Sequence, residues 1–242
     1  MSWLVDHGPV AAKPPLPMWA LDRLVRQGRV MRLRRDFYLA PTKEGQLPSI
    51  QTVAGLLSPG GYISFHGAFI LHGLTDQDTS TWVVMSERRQ AAARYGTRRI
   101  QFVYAPARAA AGHTQVRNFD GFPVRVATVA QAMFDCLARP QSAPSPRALI
   151  SIFALGLKSV RLNKKQFIQL VVEADSPAVA RRAGLLLELA GAKVDERVRN
   201  IALRTHDRSP LLRQGPAAAS DPTWRLELPV PREELVAAAR EL

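Results

Sequence analysis

Residues 17–41 read PMWALDRLVRQGRVMRLRRDFYLAP, and a change of period inside this stretch decides the fold assignment. Pro17 is a residue type favoured at a first helical position; Met18, Leu21, Leu24 and Val25 then fall on one side of a helical wheel until Gly28 stops the helix. Trp19, Arg23, Arg26 and Gln27 occupy the opposite side. Such a helix buries an apolar stripe and shows a basic face with an aromatic, the layout of a groove-reading helix. Beyond Gly28 the period falls to two: residues 29–34 (RVMRLR) alternate, Arg35 and Asp36 can turn, and residues 37–40 (FYLA) return as a second strand. Helix, basic hairpin and aromatic return strand make a winged helix-turn-helix pattern. Arg29, Arg32, Arg34 and Arg35 fit either a solvated hairpin or phosphate contacts, and the neighbouring basic helix face favours the second.

The composition points the same way. Thirty-three Lys and Arg against 20 Asp and Glu give the 242-residue chain a net charge of +13, chiefly through Arg, the side chain suited to bidentate phosphate and guanine contacts. A polyanionic partner follows, nucleic acid ahead of a membrane surface. Cys136 is the single cysteine, which excludes an intramolecular disulfide and any Cys-rich zinc site, and fits a reducing compartment. MSWLVDHGPV carries no basic segment followed by an apolar run, and the longest apolar stretch, 148–157, is half of what a membrane span requires. A cytoplasmic protein without membrane association is expected.

Working outward, residues 41–48 (PTKEGQLP) read as a linker. Ser49 can cap a helix through Val53, Leu56 and Leu57; Tyr62 and Ile63 are extended; and 65–72 is a helix stopped by Gly73. Strands are expected at 81–85, 98–104, 115–118 and 123–126, the last two joined as a hairpin by Phe119-Asp120-Gly121. Thr128 can cap a helix through Ala138, followed by a loop at 140–146, helices near 147–157, 164–174 and 177–190, a strand at 224–228 and a closing helix at 232–241. The fold class expected is α+β: a winged helix-turn-helix over 1–44, then a mixed α/β domain over 45–242.

Few residues point to catalysis. His66 and His72, six apart, lie about 240° apart on a helix and cannot chelate one metal from one face, so both read as structural or capping histidines. Cys136 sits in the apolar pattern of Val129, Met133, Phe134 and Leu137 and reads as a core thiol. GLLSPGGY lacks the Lys-Ser/Thr of a phosphate loop, and neither a Gly-x-Ser-x-Gly elbow nor a His-Glu-x-x-His motif occurs. No catalytic residue, metal or cofactor is assigned. Arg88, Arg89, Arg94, Arg98 and Arg99 around Tyr95 form a second basic cluster, which could extend a DNA footprint, bind RNA or be a solvated loop.

Several segments, in order, resemble the AbiEi family, the antitoxins of type IV toxin-antitoxin (abortive infection) systems. LDRLVRQGRVMRLRRDFYLAP is similar to that family's winged helix, with Asp36 where the family usually shows Gly and an abbreviated start before the Pro-rich stretch. YISFHGAFILHGL (62–74), VRVATVAQAMFDCLARP (124–140), RRAGLLLELAG and SPLLRQGPAAASDPTWRLELP (209–229) resemble its later segments. The resemblance implies a repressor that binds inverted repeats in its own promoter and counters a nucleotidyltransferase-type toxin through its C-terminal domain. The DNA-contacting residues expected are Trp19, Arg23, Arg26, Arg29, Arg32, Arg34 and Arg35. The alternatives are a nucleic-acid-modifying enzyme that docks through the winged helix, and a plain transcription regulator.

Overall fold

Pro17, extended at φ −63°, ψ 149°, leads into helix α1 (Met18–Arg26), and Gly28, at φ 66°, ends it in the left-handed conformation that costs glycine least. These residues belong to a computed structural model that describes residues 10–12, 16–35, 37–41, 46–105, 113–212 and 216–240. Among them the architecture is α+β, and by its contacts the chain forms two compact units: residues up to 63 with 79–126, and residues 64–78 with those from 127 onward.

In the first unit, β2 (Met31–Arg34) and β3 (Phe37–Leu39) pair antiparallel, with β1 (Val10–Ala12) on the other side of β3. Asp36, expected in the hairpin turn, lies outside the described residues, as do residues 42–45 of the expected linker. Leu21, Val30 and Tyr38 form the core beneath α1, with Leu24 and Val25 packed against it. The apolar stripe is narrower than its wheel predicts, because Met18 is 53% exposed and touches this core through its Sδ, which accepts from the Tyr38 hydroxyl at 3.7 Å. Strand β1 was not legible in sequence: VAA between two proline-rich stretches has no alternation to read.

Helix α2 (Ile50–Leu57) starts at Ser49, whose Oγ accepts from the Thr52 amide, as its sequence predicts. A mixed six-stranded sheet follows, built from β4 (Tyr62–Ser64), β5 (Thr81–Ser86), β6 (Ala93–Tyr95), β7 (Arg98–Tyr104), β8 (Thr114–Phe119) and β9 (Phe122–Ala127), in the order β6-β7-β5-β4-β9-β8. Strands β5 and β7 are parallel, as are β4 and β9, and β6 runs antiparallel to β7. Gly61 precedes β4 because no side chain fits there: a Cβ would collide with the Met85 carbonyl oxygen and the Ser58 hydroxyl.

The expected hairpin is present, but Phe119 belongs to β8, so the turn between β8 and β9 is Asp120 (φ 51°) and Gly121 (φ 80°) alone, both in the left-handed region. The Asp120 carboxylate also accepts from the Ser49 amide at 2.6 Å and the Thr52 hydroxyl at 2.7 Å, tying this turn to the start of α2. Those hydrogen bonds hold its carboxyl below the ordinary value of 3.8. A carboxyl depressed in the folded state stabilises fully above its unfolded pKa and loses that contribution as pH falls through its folded value. Wild-type melting temperature should therefore fall more steeply below about pH 4 than that of Asp120→Ala. Parallel acid melting curves would refute the link.

The second unit is mainly helical. It comprises α3 (Phe65–Leu71), α4 (Val129–Ala138), α5 (Pro146–Lys158), α6 (Lys164–Glu173), α7 (Pro177–Leu189) and α8 (Glu196–Leu203), then β10 (Ser209–Pro210), β11 (Ala219–Asp221) and β12 (Leu226–Leu228), and finally α9 (Arg232–Arg240). Thr128, Ser145, Asn163 and Asp195 each accept a backbone N–H at a helix start. Several details differ from the sequence expectation, the short strands β10 and β11 among them. Pro140–Ser142 is a short 3-10 turn rather than plain loop, α8 was not anticipated, and the last strand begins at Leu226 because Arg225 (φ 52°) is in a turn. Phe153 and Phe167 meet edge to face at 5.2 Å inside this unit.

Candidate nucleic-acid interface

The geometry of α1 and its hairpin separates the seven sequence-predicted residues into two groups. Trp19 is 68% exposed, and Arg23, Arg26, Arg29, Arg32 and Arg35 are exposed as well. A surface tryptophan with two-thirds of its area in water contributes little to the core beneath it, so its helix face is open to a partner. Arg26 Nε donates to the Asp22 carbonyl one turn back at 3.4 Å, which leans its side chain along the helix.

Arg34 is different. The pairing register shifts between Arg32 and Arg34, so strict alternation fails and Arg34 turns inward, half-buried. Its guanidinium sits 4.0 Å from the Phe37 ring centroid and 5.3 Å from that of Phe102. Nη1 donates to the Ala91 carbonyl at 3.0 Å and Nη2 to Gln90 Oε1 at 2.8 Å. Burial lowers its pKa from the ordinary arginine value. Arg34 braces the hairpin against the segment after β5 and is not presented outward with the other six. The sequence offered no sign of this, since its hydrogen-bond partners, Gln90 and Ala91, lie more than fifty residues downstream.

That downstream segment is the second basic cluster. Arg88, Arg89, Arg94 and Arg99 are exposed, Arg98 is half-buried, and the Tyr95 hydroxyl donates to the Pro48 carbonyl. Arg89 lies 5.6 Å from the Tyr104 ring centroid. A hydroxyl network orders the loop: Ser58 Oγ donates to Ser86 Oγ at 3.0 Å, Ser86 Oγ donates to the Arg88 carbonyl at 2.9 Å, and Gln90 Nε2 donates to Ser86 Oγ at 2.7 Å. Through Arg34 and this loop the two basic clusters, distant in sequence, lie against each other within the first unit.

The residues considered for catalysis have structural work. His66 Nε2 donates to the Gln77 carbonyl at 2.9 Å and His72 Nε2 to the Ala127 carbonyl at 2.7 Å. Cys136 is fully buried, and burial pushes its thiol well above the ordinary value, away from the reactive thiolate. A polar cluster that sequence reasoning missed joins Ser64 Oγ to Asp135 Oδ2 at 2.6 Å and Gln131 Nε2 to Asp135 Oδ1 at 2.8 Å. All three residues are at most 3% exposed, so the cluster fixes the start of α3 on α4 rather than meeting a substrate. Among the described residues no three His, Cys, Asp or Glu side chains are grouped to hold a metal ion, and no helix is long and apolar enough to cross a membrane.

No protein-family model matches this chain, and no curated protein matches it. Among solved structures the chain is similar to the crystal structure of the RV2827C protein from Mycobacterium tuberculosis, with a TM-score of 0.62 and 14% sequence identity. The match covers 99% of this chain and 91% of that one. At that identity the likeness is one of fold alone.

Proposed function

We propose that α1 and the hairpin after it, residues 18–39, act as the reading helix and wing of a winged helix-turn-helix that binds double-stranded DNA, and that the chain is a transcriptional repressor and antitoxin of the kind the AbiEi resemblance implies, a binding protein rather than an enzyme. On this reading it represses its own promoter and counters a nucleotidyltransferase toxin. The observation that carries the proposal is the outward face of α1: Trp19, Arg23 and Arg26 in solvent, buried Leu21 beneath, and exposed Arg29, Arg32 and Arg35 in the hairpin that follows. A helix of this size fits a major groove, and a basic hairpin beside it reaches phosphates or the minor groove. Arg34, spent inside the unit, serves as the brace that fixes the hairpin and is removed from the set of DNA contacts.

The hairpin arginines Arg29, Arg32 and Arg35, each neutralising a phosphate, would release counterions, with a slope of about −0.9 in log K against log salt for each contact. Fluorescence anisotropy on promoter DNA should give a total slope of roughly −3, smaller in magnitude when Arg29, Arg32 and Arg35 are replaced by Ala. Binding insensitive to salt refutes the DNA reading. Antitoxin action is tested by co-expression with the cognate toxin. Arg23→Ala/Arg26→Ala should lose promoter binding and still protect cells. Point variants serve this purpose better than deletion of residues 1–44, which would also strip buried Tyr38 and Leu39 from the first unit.

A further inference from the structure

Where the hairpin meets the loop after β5, the first unit contains a groove of about 660 Å³, within the range of roughly 300–1,000 Å³ typical of small-molecule sites. We propose that this groove binds a mononucleotide, a small organic phosphate with a flat apolar base. Its lining has two characters. Phe37, Leu56 and Pro59 contribute apolar surface, while Arg35, Arg88 and Arg89 supply cationic groups suited to bidentate phosphate binding. Glu87 also lines the groove and adds a carboxylate acceptor, the group that a ribose diol or an exocyclic amine needs.

A duplex backbone would use the arginines and leave the apolar lining residues without a partner, and inorganic phosphate would do the same. A nucleotide engages both. The site is also built before any ligand arrives. The Ser58–Ser86–Gln90 hydrogen bonds and the two from Arg34 Nη1 and Nη2 hold the loop that carries Arg88 and Arg89, which reduces the ordering cost of binding. Gly60 keeps the groove open: a Cβ there would lie 2.9 Å from Glu87 Oε2, so any larger side chain enters the space beside the carboxylate. Because Arg35 belongs both to this groove and to the proposed DNA contacts, nucleotide binding would weaken promoter binding. That consequence rests on the DNA reading, whereas the site itself does not.

The test is isothermal titration of the full chain with ATP and with GTP at about 150 mM salt, where diffuse surface attraction is largely screened. At least one of the two should bind, more tightly than pyrophosphate or adenosine. Gly60→Leu, which fills the groove without changing charge, and Arg88→Ala/Arg89→Ala should each weaken binding by about tenfold or more, a loss expected when a bidentate charged contact is removed. Arg94→Ala/Arg99→Ala removes the same charge from exposed positions outside the groove and should leave binding within about twofold, as a change of screened surface charge should. Should Gly60→Leu melt early, the two arginine pairs carry the comparison alone. The proposal is overturned if neither nucleotide binds, if pyrophosphate binds as tightly as ATP, or if the distal pair matters as much as the groove pair. In a competition arm, the bound nucleotide should lower promoter affinity in the wild type and not in Gly60→Leu. A chain that binds nucleotide and no DNA would refute the DNA reading and leave the site standing.

Discussion

Gly184→Ala should destabilise the second unit by about 1–3 kcal/mol, and Trp224→Ala by about 3–5 kcal/mol. Gly184 lies in the middle of α7, where a Cβ would overlap Cζ3, Cη2 and Cε3 of the Trp224 ring. Relief by a small shift is blocked because the indole is fixed at several points. Trp224 is 1% exposed, its Nε1 donates to Glu188 Oε2 at 2.7 Å, and its backbone amide donates to Asp221 Oδ1 at 2.9 Å. Asp221 is in turn paired with Arg232 Nε at 2.9 Å. Since one variant adds a methyl that overlaps the ring and the other removes the ring, the two changes should not add: Gly184→Ala should cost much less in a Trp224→Ala background. Urea melts of the four proteins in the cycle measure this, and full additivity would mean that the two residues do not touch.

This contact explains why parts of the second unit were legible in sequence and others were not. The segments RRAGLLLELAG and TWRL are more than thirty residues apart, yet one supplies the glycine and the other the ring that lies on it. Likewise Ser64 of YISFHGAFILHGL donates to Asp135 of VRVATVAQAMFDCLARP, and His72 of the first segment donates to the Ala127 carbonyl of the second. The segments could be picked out singly, but their pairing could not, because no local pattern encodes which partner fills which gap. Arg181 and Arg182 of the same helix show the limit more sharply. They are 1% and 6% exposed, although arginine is rarely buried, and their guanidinium groups donate to carbonyls of Ala202, Thr205, Pro210 and Leu137.

In the first unit the legible elements were those set by local chemistry. Ser49 as a cap, Gly28 as a helix stop, and Asp120-Gly121 as a tight turn all act within a few residues. Strands β1 and β6, three residues each, carry too little pattern to read and exist because β3 and β7 offer them edges. The inward turn of Arg34 depends on a register shift and on Gln90, Ala91 and Phe102, none of which a reading of RVMRLRRD can see.

The division between Arg34 and its neighbours sets up the second large expected effect, in which stability and DNA affinity respond to different residues. Trp19→Ala should leave the melting temperature nearly unchanged, because a side chain 68% exposed has little burial to lose, and should weaken promoter binding. Arg23→Ala or Arg26→Ala should cost roughly 1–3 kcal/mol on promoter DNA and narrow the gap to random DNA, since residues on that helix face can reach base edges. Arg32→Ala and Arg35→Ala should weaken promoter and random DNA about equally, as phosphate contacts do. Arg34→Ala belongs to neither class. It removes two hydrogen bonds and the stacking on Phe37 and Phe102, so it should lower the melting temperature first and weaken all DNA through a loosened hairpin. Thermal melts beside anisotropy titrations on the two DNAs separate these classes. A destabilised Trp19→Ala alongside fully active Arg23→Ala and Arg26→Ala would remove α1 as the reading helix.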